Sequence, residues 1–145
     1  MKIRRATIED IKQIYEMLID MHSQTEIKLA PIKPEKLYGT IKTALEKGIV
    51  LVAEVKNRIV GSIAGMVSSE WWSDQEFLKD IWFYVSPENR KSSIAIKLAK
   101  CFIKIGNSAK LKIKLGHVFS GDIERKDKFF HHLGLEKAGS LYVEV

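Results

Sequence analysis

The chain of 145 residues has one cysteine, Cys101. This excludes an intrachain disulfide and a cysteine-rich metal site. Helical spacing puts Cys101 on an apolar face, so it reads as a buried core thiol. No apolar run is long enough to span a bilayer, and no signal-peptide pattern is present. Nothing repeats, and no low-complexity segment or linker divides the sequence. The expectation is a single domain over residues 1–145, cytoplasmic, with no metal and no membrane partner. The net charge of +6 suits an anionic ligand or an acidic partner. It would also suit nucleic acid, but the basic strand at 110–114 lacks aromatic interleaving on one face, which argues against it.

What is present alternates strand and helix signals. Lys2 to Ala6 reads as a strand, and Thr7 with Asp10 three residues later forms something close to a capping box. Ile11, Ile14, Tyr15, Leu18, Ile19 and Met21 then give one apolar stripe, so a helix is predicted to about His22. The segment from Ser23 to Pro34 is irregular, with Pro31 and Pro34 restricting their predecessors. A second helix spans Pro34 to Lys47, with Leu37, Ile41, Ala44 and Leu45 inward and Gly48 as its stop. Ile49 to Val55 is a nearly continuous apolar run, a central strand. A tight turn at Lys56-Asn57-Arg58 returns the chain as Ile59 to Ser69, where Gly61 and Gly65 imply a bulge or the close approach of another element.

Glu70 to Lys79 breaks the pattern: Trp71 and Trp72 adjoin Glu70, Asp74, Glu76 and Asp80. A pocket for a cationic amine, through cation–π and carboxylate contacts, is one reading; tryptophans packed on a core edge with solvated acids is the other. Next comes the stretch that organises the rest, DIWFYVSPENRKSSIAIKL, from Asp80 to Leu98. Asp80 to Val85 has the composition of a buried strand. Ser86-Pro87-Glu88-Asn89 breaks it. Ile94, Leu98, Cys101, Phe102 and Ile105 recur at helical spacing. A helix start offers unpartnered amides and a partial positive charge, and Arg90 and Lys91 add formal charge. The combination describes an anion site for a phosphate or diphosphate. An ordinary capped helix start with a solvated basic pair is the alternative. Lys110 to Phe119 alternates lysine with apolar residues, a strand with one wet face that includes His117. Ile123 to His132 is a fourth helix ended by Gly134, and Leu141 to Val145 closes the sheet.

Arg90-Lys91-Ser92-Ser93-Ile94-Ala95 resembles the acyl-CoA pyrophosphate loop, Q/R-x-x-G-x-G/A, of the GNAT superfamily of N-acetyltransferases. Arg90 and Ala95 match, and Ser93 stands where the family usually has glycine. The opening strand with T-x-x-D, the segment AEVKNRIVGSIAGMV and the closing DKFFHHLGLEKAGSLYVEV extend the resemblance over nearly the whole chain. It implies an α/β (α+β) fold: one mixed, mostly antiparallel, splayed sheet of about seven strands flanked by about four helices. It implies an acetyl-CoA-dependent N-acetyltransferase acting on a primary amine by direct attack in a ternary complex. A degenerate member that binds acyl-CoA or a protein partner without turnover is the alternative, and a homodimer stays open.

By the same resemblance, coenzyme A would be held by Phe83, Tyr84, Val85, Arg90, Lys91, Ser92, Ser93, Ile94 and Ala95, with a hydroxyl of Ser92 or Ser93 on the diphosphate. The acceptor would lie near Trp71, Trp72, Asp74 and Glu26, with Met21, His22 and Gln24 nearby. Asp80 and Glu70 are the candidate bases, Asp80 at the start of its strand. The family's usual tyrosine, the acid that protonates the leaving sulfur, is replaced by Phe130; the usual asparagine one turn earlier is also missing. Water, Ser120 or His131 would have to substitute.

Overall fold

The computed structural model describes residues 1–25, 29–117 and 121–144. Strand β1 (Lys2–Arg5) leads through a 3-10 turn at Ile8–Asp10 into helix α1 (Ile11–Ser23). The Thr7–Asp10 pair therefore caps this turn, and the α-helix begins one residue beyond it. The Asp10 carboxylate accepts the Thr7 amide at 2.7 Å and two Arg4 N–H groups at 2.8 and 2.9 Å. Helix α2 (Pro34–Lys47) and strand β2 (Ile49–Val55) fall at the expected residues. Lys56 and Asn57 adopt φ of 51° and 64°, the two left-handed positions of a two-residue hairpin turn whose twist matches its strands. Strand β3 (Arg58–Ser69) returns, followed by β4 (Glu76–Val85), helix α3 (Ile94–Ser108), strand β5 (Lys112–Lys114) and helix α4 (Ile123–His132).

The strands form one sheet in the order β1-β2-β3-β4-β5, antiparallel except for the parallel β4–β5 pair. The expected mixed sheet with about four helices is therefore present, but it has five strands among the described residues, not about seven. Leu141, Tyr142 and Val143 are exposed, Tyr142 to 92%. The alternation there is too short to make a strand without a partner edge. Lys137, just after Gly134, bonds Asp127 of α4 at 3.4 Å.

Two clusters sandwich the sheet. Ile11, Ile14 and Leu18 of α1 and Ile41 and Ala44 of α2 pack on Val50, Val52, Trp82 and Tyr84. Ile94, Leu98 and Phe102 of α3 pack on Leu51, Ala53, Ile63 and Leu78. Cys101 is half-buried beside this second cluster, not fully enclosed. The glycine reading holds: a Cβ on Gly65 would lie 2.5 Å from Phe102 Cζ, so α3 packs directly against β3 backbone.

Strand β4 starts four residues earlier than the sequence suggests. Glu76 pairs with Ser69, and Phe77 and Leu78 are buried. The neighbouring acids hid this half of the strand, and the loop shrinks to residues 70–75. Asp80 consequently lies in mid-strand, at a register shift where Gly65 faces Asp80 and Ala64 faces Trp82. The extra residue inverts the pleat. Leu78 packs towards α3 while Trp82 and Tyr84, of the same parity, pack towards α1 and α2. Of the expected strand 110–119, residues 112–114 form β5 and His117 lies beyond it; residues 118 and 119 lie outside the described residues. Lys112 and Lys114 are exposed and Ile113 half-buried, as the alternation required.

Candidate active site

The geometry follows from how little of β4 pairs with β5. Only Phe77, Leu78 and Lys79 have β5 partners. Beyond them, among the described residues, the β4 edge from Asp80 to Val85 carries no β5 ladder. Parallel strands that part in this way leave a wedge. It is about 17 Å long at a rise of about 3.3 Å per residue. At its far end the chain turns through Ser86–Arg90 into the start of α3. Phe83 faces it, with its ring 6.1 Å from that of Phe129 on α4.

At the near end lies Asp80. Its side chain is only 8% exposed. The Gly116 amide donates to its two oxygens at 3.2 and 3.4 Å, and Lys79 Nζ is 3.8 Å away. Burial pushes this carboxyl above the ordinary carboxylate range, with Lys79 and the Gly116 amide opposing it. A buried carboxyl that is ready to take a proton is the state a general base requires.

Glu70 is placed differently. Its carboxylate pairs with Lys114, whose ammonium also lies 3.9 Å above the Phe77 ring. A carboxylate tied to a lysine is already satisfied, so the two candidate bases are not equivalent. Trp71 and Trp72 are 91% and 65% exposed, edge to face at 5.0 Å. They are not packed on the core edge. They crown the β3–β4 loop, with Asp74 and Glu76 exposed beside them.

At the far end, Ser93 is the N-cap of α3, and the helix runs from Ile94 with no acidic residue in its first turn. The Ser92 hydroxyl donates to the Asn89 carbonyl and accepts the Ile94 amide at 3.3 Å; it shapes the loop. Lys91 and Ser93 are exposed, Ile94 is buried and Ala95 half-buried. Arg90 is engaged by the protein. Its Nε donates to the Val85 carbonyl at 2.9 Å, a terminal amino group donates to Gln24 Oε1 at 2.9 Å, and its guanidinium lies 5.1 Å from the Tyr84 ring centroid. Tyr84 in turn donates to Asp20 at 2.7 Å. Burial first and Asp20 second push that phenol up to about 12. Burial, and then the charge of Arg90, hold Lys126 of α4 below the ordinary lysine range. Two cations thus converge on the far end of the wedge.

Of the residues expected near the acceptor, Met21 packs on the first core cluster. His22 bonds the Ala30 carbonyl at 2.8 Å, and Gln24 bonds Asp20 and Arg90. Glu26 and Ser120 lie outside the described residues. His131 is exposed at the end of α4. Sequence reasoning missed the partner of His117: its Nε2 is 3.1 Å from Asp127 Oδ1. Ten residues separate the two, and no spacing rule links a strand end to the second turn of the next helix.

No protein-family model matches the sequence, and no curated protein matches it. Solved structures do. A possible acetyltransferase from Clostridium difficile 630 superposes with a TM-score of 0.77 at 21% identity, over 99% of this chain and 95% of that one. A predicted acetyltransferase from Clostridium acetobutylicum, crystallised with acetyl-CoA, gives 0.78 at 14% identity, over 99% and 94%. Glucosamine-6-phosphate N-acetyltransferase from Arabidopsis thaliana gives 0.74 at 14% identity, over 99% and 97%. The chain therefore has the fold of GNAT-type acetyltransferases. A shared fold does not carry an acceptor with it.

Proposed function

We propose that this chain transfers the acetyl group of acetyl-CoA to a primary amine. The observation that carries the reading is the wedge: an unladdered β4 edge with a helix N-terminus at one end and a buried carboxyl at the other. The diphosphate sits at the start of α3 on the amides of Ser93 and Ala95, beside the Ile94 amide that the Ser92 hydroxyl holds, where the helix dipole favours an anion. Arg90 and Lys126 add positive charge, Arg90 from a guanidinium that Val85 and Gln24 hold in place through Nε and one amino group. Lys91 and the Ser93 hydroxyl face solvent and are available to the phosphates. The pantetheine arm carries two amides and lies along Phe83, Tyr84 and Val85 as an added strand would. The thioester then reaches the bulge beside Asp80.

There, nitrogen attacks the thioester carbon. A backbone N–H near the bulge stabilises the developing oxyanion. Asp80 takes the nitrogen's proton directly or through water. Glu70, paired with Lys114, is the weaker candidate. Trp71, Trp72 and the exposed Asp74 and Glu76 bring a cationic acceptor to the mouth by cation–π and charge attraction.

The test is thiol release from acetyl-CoA across a broad panel of amines, including polyamines, aminosugars and peptide amines. Turnover with any of them supports the reading. Acetyl-CoA binding without release for any amine identifies a binding module instead.

A further inference from the structure

Most buried or paired polar groups in this chain have a structural task. Arg4 and Asp10 close the turn before α1, Asp20 holds Tyr84, and Ser62 joins two strands. The His117–Asp127 pair links the segment after β5 to α4. It lies beyond the end of β5, and its carboxylate is also reached by Lys137 at 3.4 Å. The imidazole stacks on Phe130 with 5° between the planes and 5.5 Å between centroids. A carboxylate on one side and an aromatic face on the other fix both the position and the tilt of the ring.

Chemistry assigns the nitrogens. An ionised carboxylate only accepts hydrogen bonds, so Nε2 carries the hydrogen that points to Asp127. The hydrogen bond from His117, ahead of Lys137, holds the Asp127 carboxyl below the ordinary range, so it stays ionised beside an imidazolium. Nδ1 is then the ring nitrogen left for a partner other than Asp127. The pair is also in the right place. The amide of the preceding residue, Gly116, lies on Asp80. Two proton-carrying groups, one buried carboxyl and one carboxylate-backed imidazole, thus flank the near end of the wedge, the arrangement that separates acid from base.

We propose that His117, oriented by Asp127, protonates the departing coenzyme A sulfur; the inference rests on the acetyl-transfer reading above. The C–N bond forms as the amine attacks, and the carbonyl electron pair moves to oxygen. Its return breaks the C–S bond. That pair re-forms the carbonyl, and the sulfur leaves with the C–S bonding pair and takes the proton from Nδ1 of the His117 imidazolium, giving the thiol and neutral imidazole. The nitrogen's proton goes to Asp80. Asp80 then loses a proton to water and His117 regains one, so the reaction is neutral overall. Phe129 and Phe130, beside the imidazole on α4, have no proton to give. Asp127 is a positioning residue.

The experiment is a titration of ring-15N-labelled protein with coenzyme A and, separately, with desulfo-coenzyme A, with His117→Gln to assign the resonance. The charged groups at the imidazole are Asp127 on α4 and, on that carboxylate, Lys137; Asp80 on β4 holds the amide of the preceding residue. Coenzyme A is expected to shift the His117 ring nitrogens and their titration midpoint, while the desulfo analogue leaves both near their free values. Equal responses to the two ligands overturn the proposal and leave the acetyl-transfer reading standing. If the amides of residues 90–95 ignore coenzyme A, the reading itself fails and this assignment with it. With a competent amine, His117→Gln is expected to lower kcat about 10²-fold with little change in the KM for acetyl-CoA. Phe130→Tyr in the same background should recover part of that loss, because it places a phenol against the same ring position. A His117→Gln enzyme that turns over like the parent overturns the proposal.

Discussion

Asp80 and Gly116 meet where β5 leaves β4: the Gly116 amide donates to both carboxylate oxygens of the buried Asp80, at 3.2 and 3.4 Å. This contact marks the point at which a three-residue parallel ladder opens into a wedge. It also leaves a carboxyl with the Gly116 amide, its own backbone amide and a lysine at 3.8 Å, together too little to offset its burial.

Asp80→Asn tests both consequences. Burial raises this carboxyl, so folding favours its protonated form. That contribution is fully present below the ordinary carboxylate range and is lost as pH rises through the raised value. Asparagine does not titrate. The melting temperature of the variant relative to the parent should therefore rise with pH across that window and then level off. Turnover should fall by about 10²-fold or more, with binding of acetyl-CoA retained. A flat difference between the two melting curves contradicts the burial argument.

Ser62 is a buried polar hub. Its hydroxyl donates to the Leu51 carbonyl at 2.8 Å and accepts from Trp82 Nε1 at 2.9 Å. Ser62→Ala leaves the indole N–H buried without a partner, at a cost of about 1–3 kcal/mol. Urea unfolding should show a lower midpoint with an unchanged slope.

Gly65 faces Phe102 at the bulge, and Gly65→Ala would press a methyl into that ring and the Lys79 carbonyl. Overpacking of this kind costs about 1–3 kcal/mol. Because the same backbone sets the pleat around Asp80, turnover should fall by more than the stability loss explains. Thermal melting and steady-state kinetics on one preparation check both.

The exposed tryptophans lend themselves to a cleaner separation. Trp71→Ala and Trp72→Ala should leave the melting temperature nearly unchanged, because neither ring packs on the core. Loss of a cation–π contact of about 1 kcal/mol should raise the KM of a cationic acceptor roughly fivefold. An unchanged KM for every cationic acceptor would remove the loop from the acceptor site.

The helices were legible because their signals are local. Pro34 opens α2 and Gly48 stops it, and the apolar stripe of α3 needed no partner to be read. Strand β2 announced itself as an unbroken apolar run. Strand β4 did not, because Glu76 and Lys79 flank Phe77 and Leu78, and the pairing with β3 that makes them a strand is a long-range fact. The bulge at Asp80 lies in the register between two strands, which no single strand encodes. Arg90 was legible as a charge but not as a clamp on Val85 and Gln24, since Gln24 is 66 residues away in the chain. The sixth and seventh strands, absent among the described residues, show the converse. Leu141 and Val143 alternate correctly, yet alternation makes a strand only where an edge receives it.

The anion grip at the start of α3 is tested most directly by calorimetric titration with coenzyme A of the parent and of Ser93→Asp. Aspartate is a good N-cap and favours the helix dipole, so the variant should fold at least as stably. Its charge would nevertheless repel a diphosphate. The account predicts micromolar binding by the parent, the order of enzyme substrate affinities, and binding at least about tenfold weaker by the variant, a loss of about 1.4 kcal/mol. A parent that releases no heat and binds no coenzyme A, or a variant that binds it equally well, would contradict it.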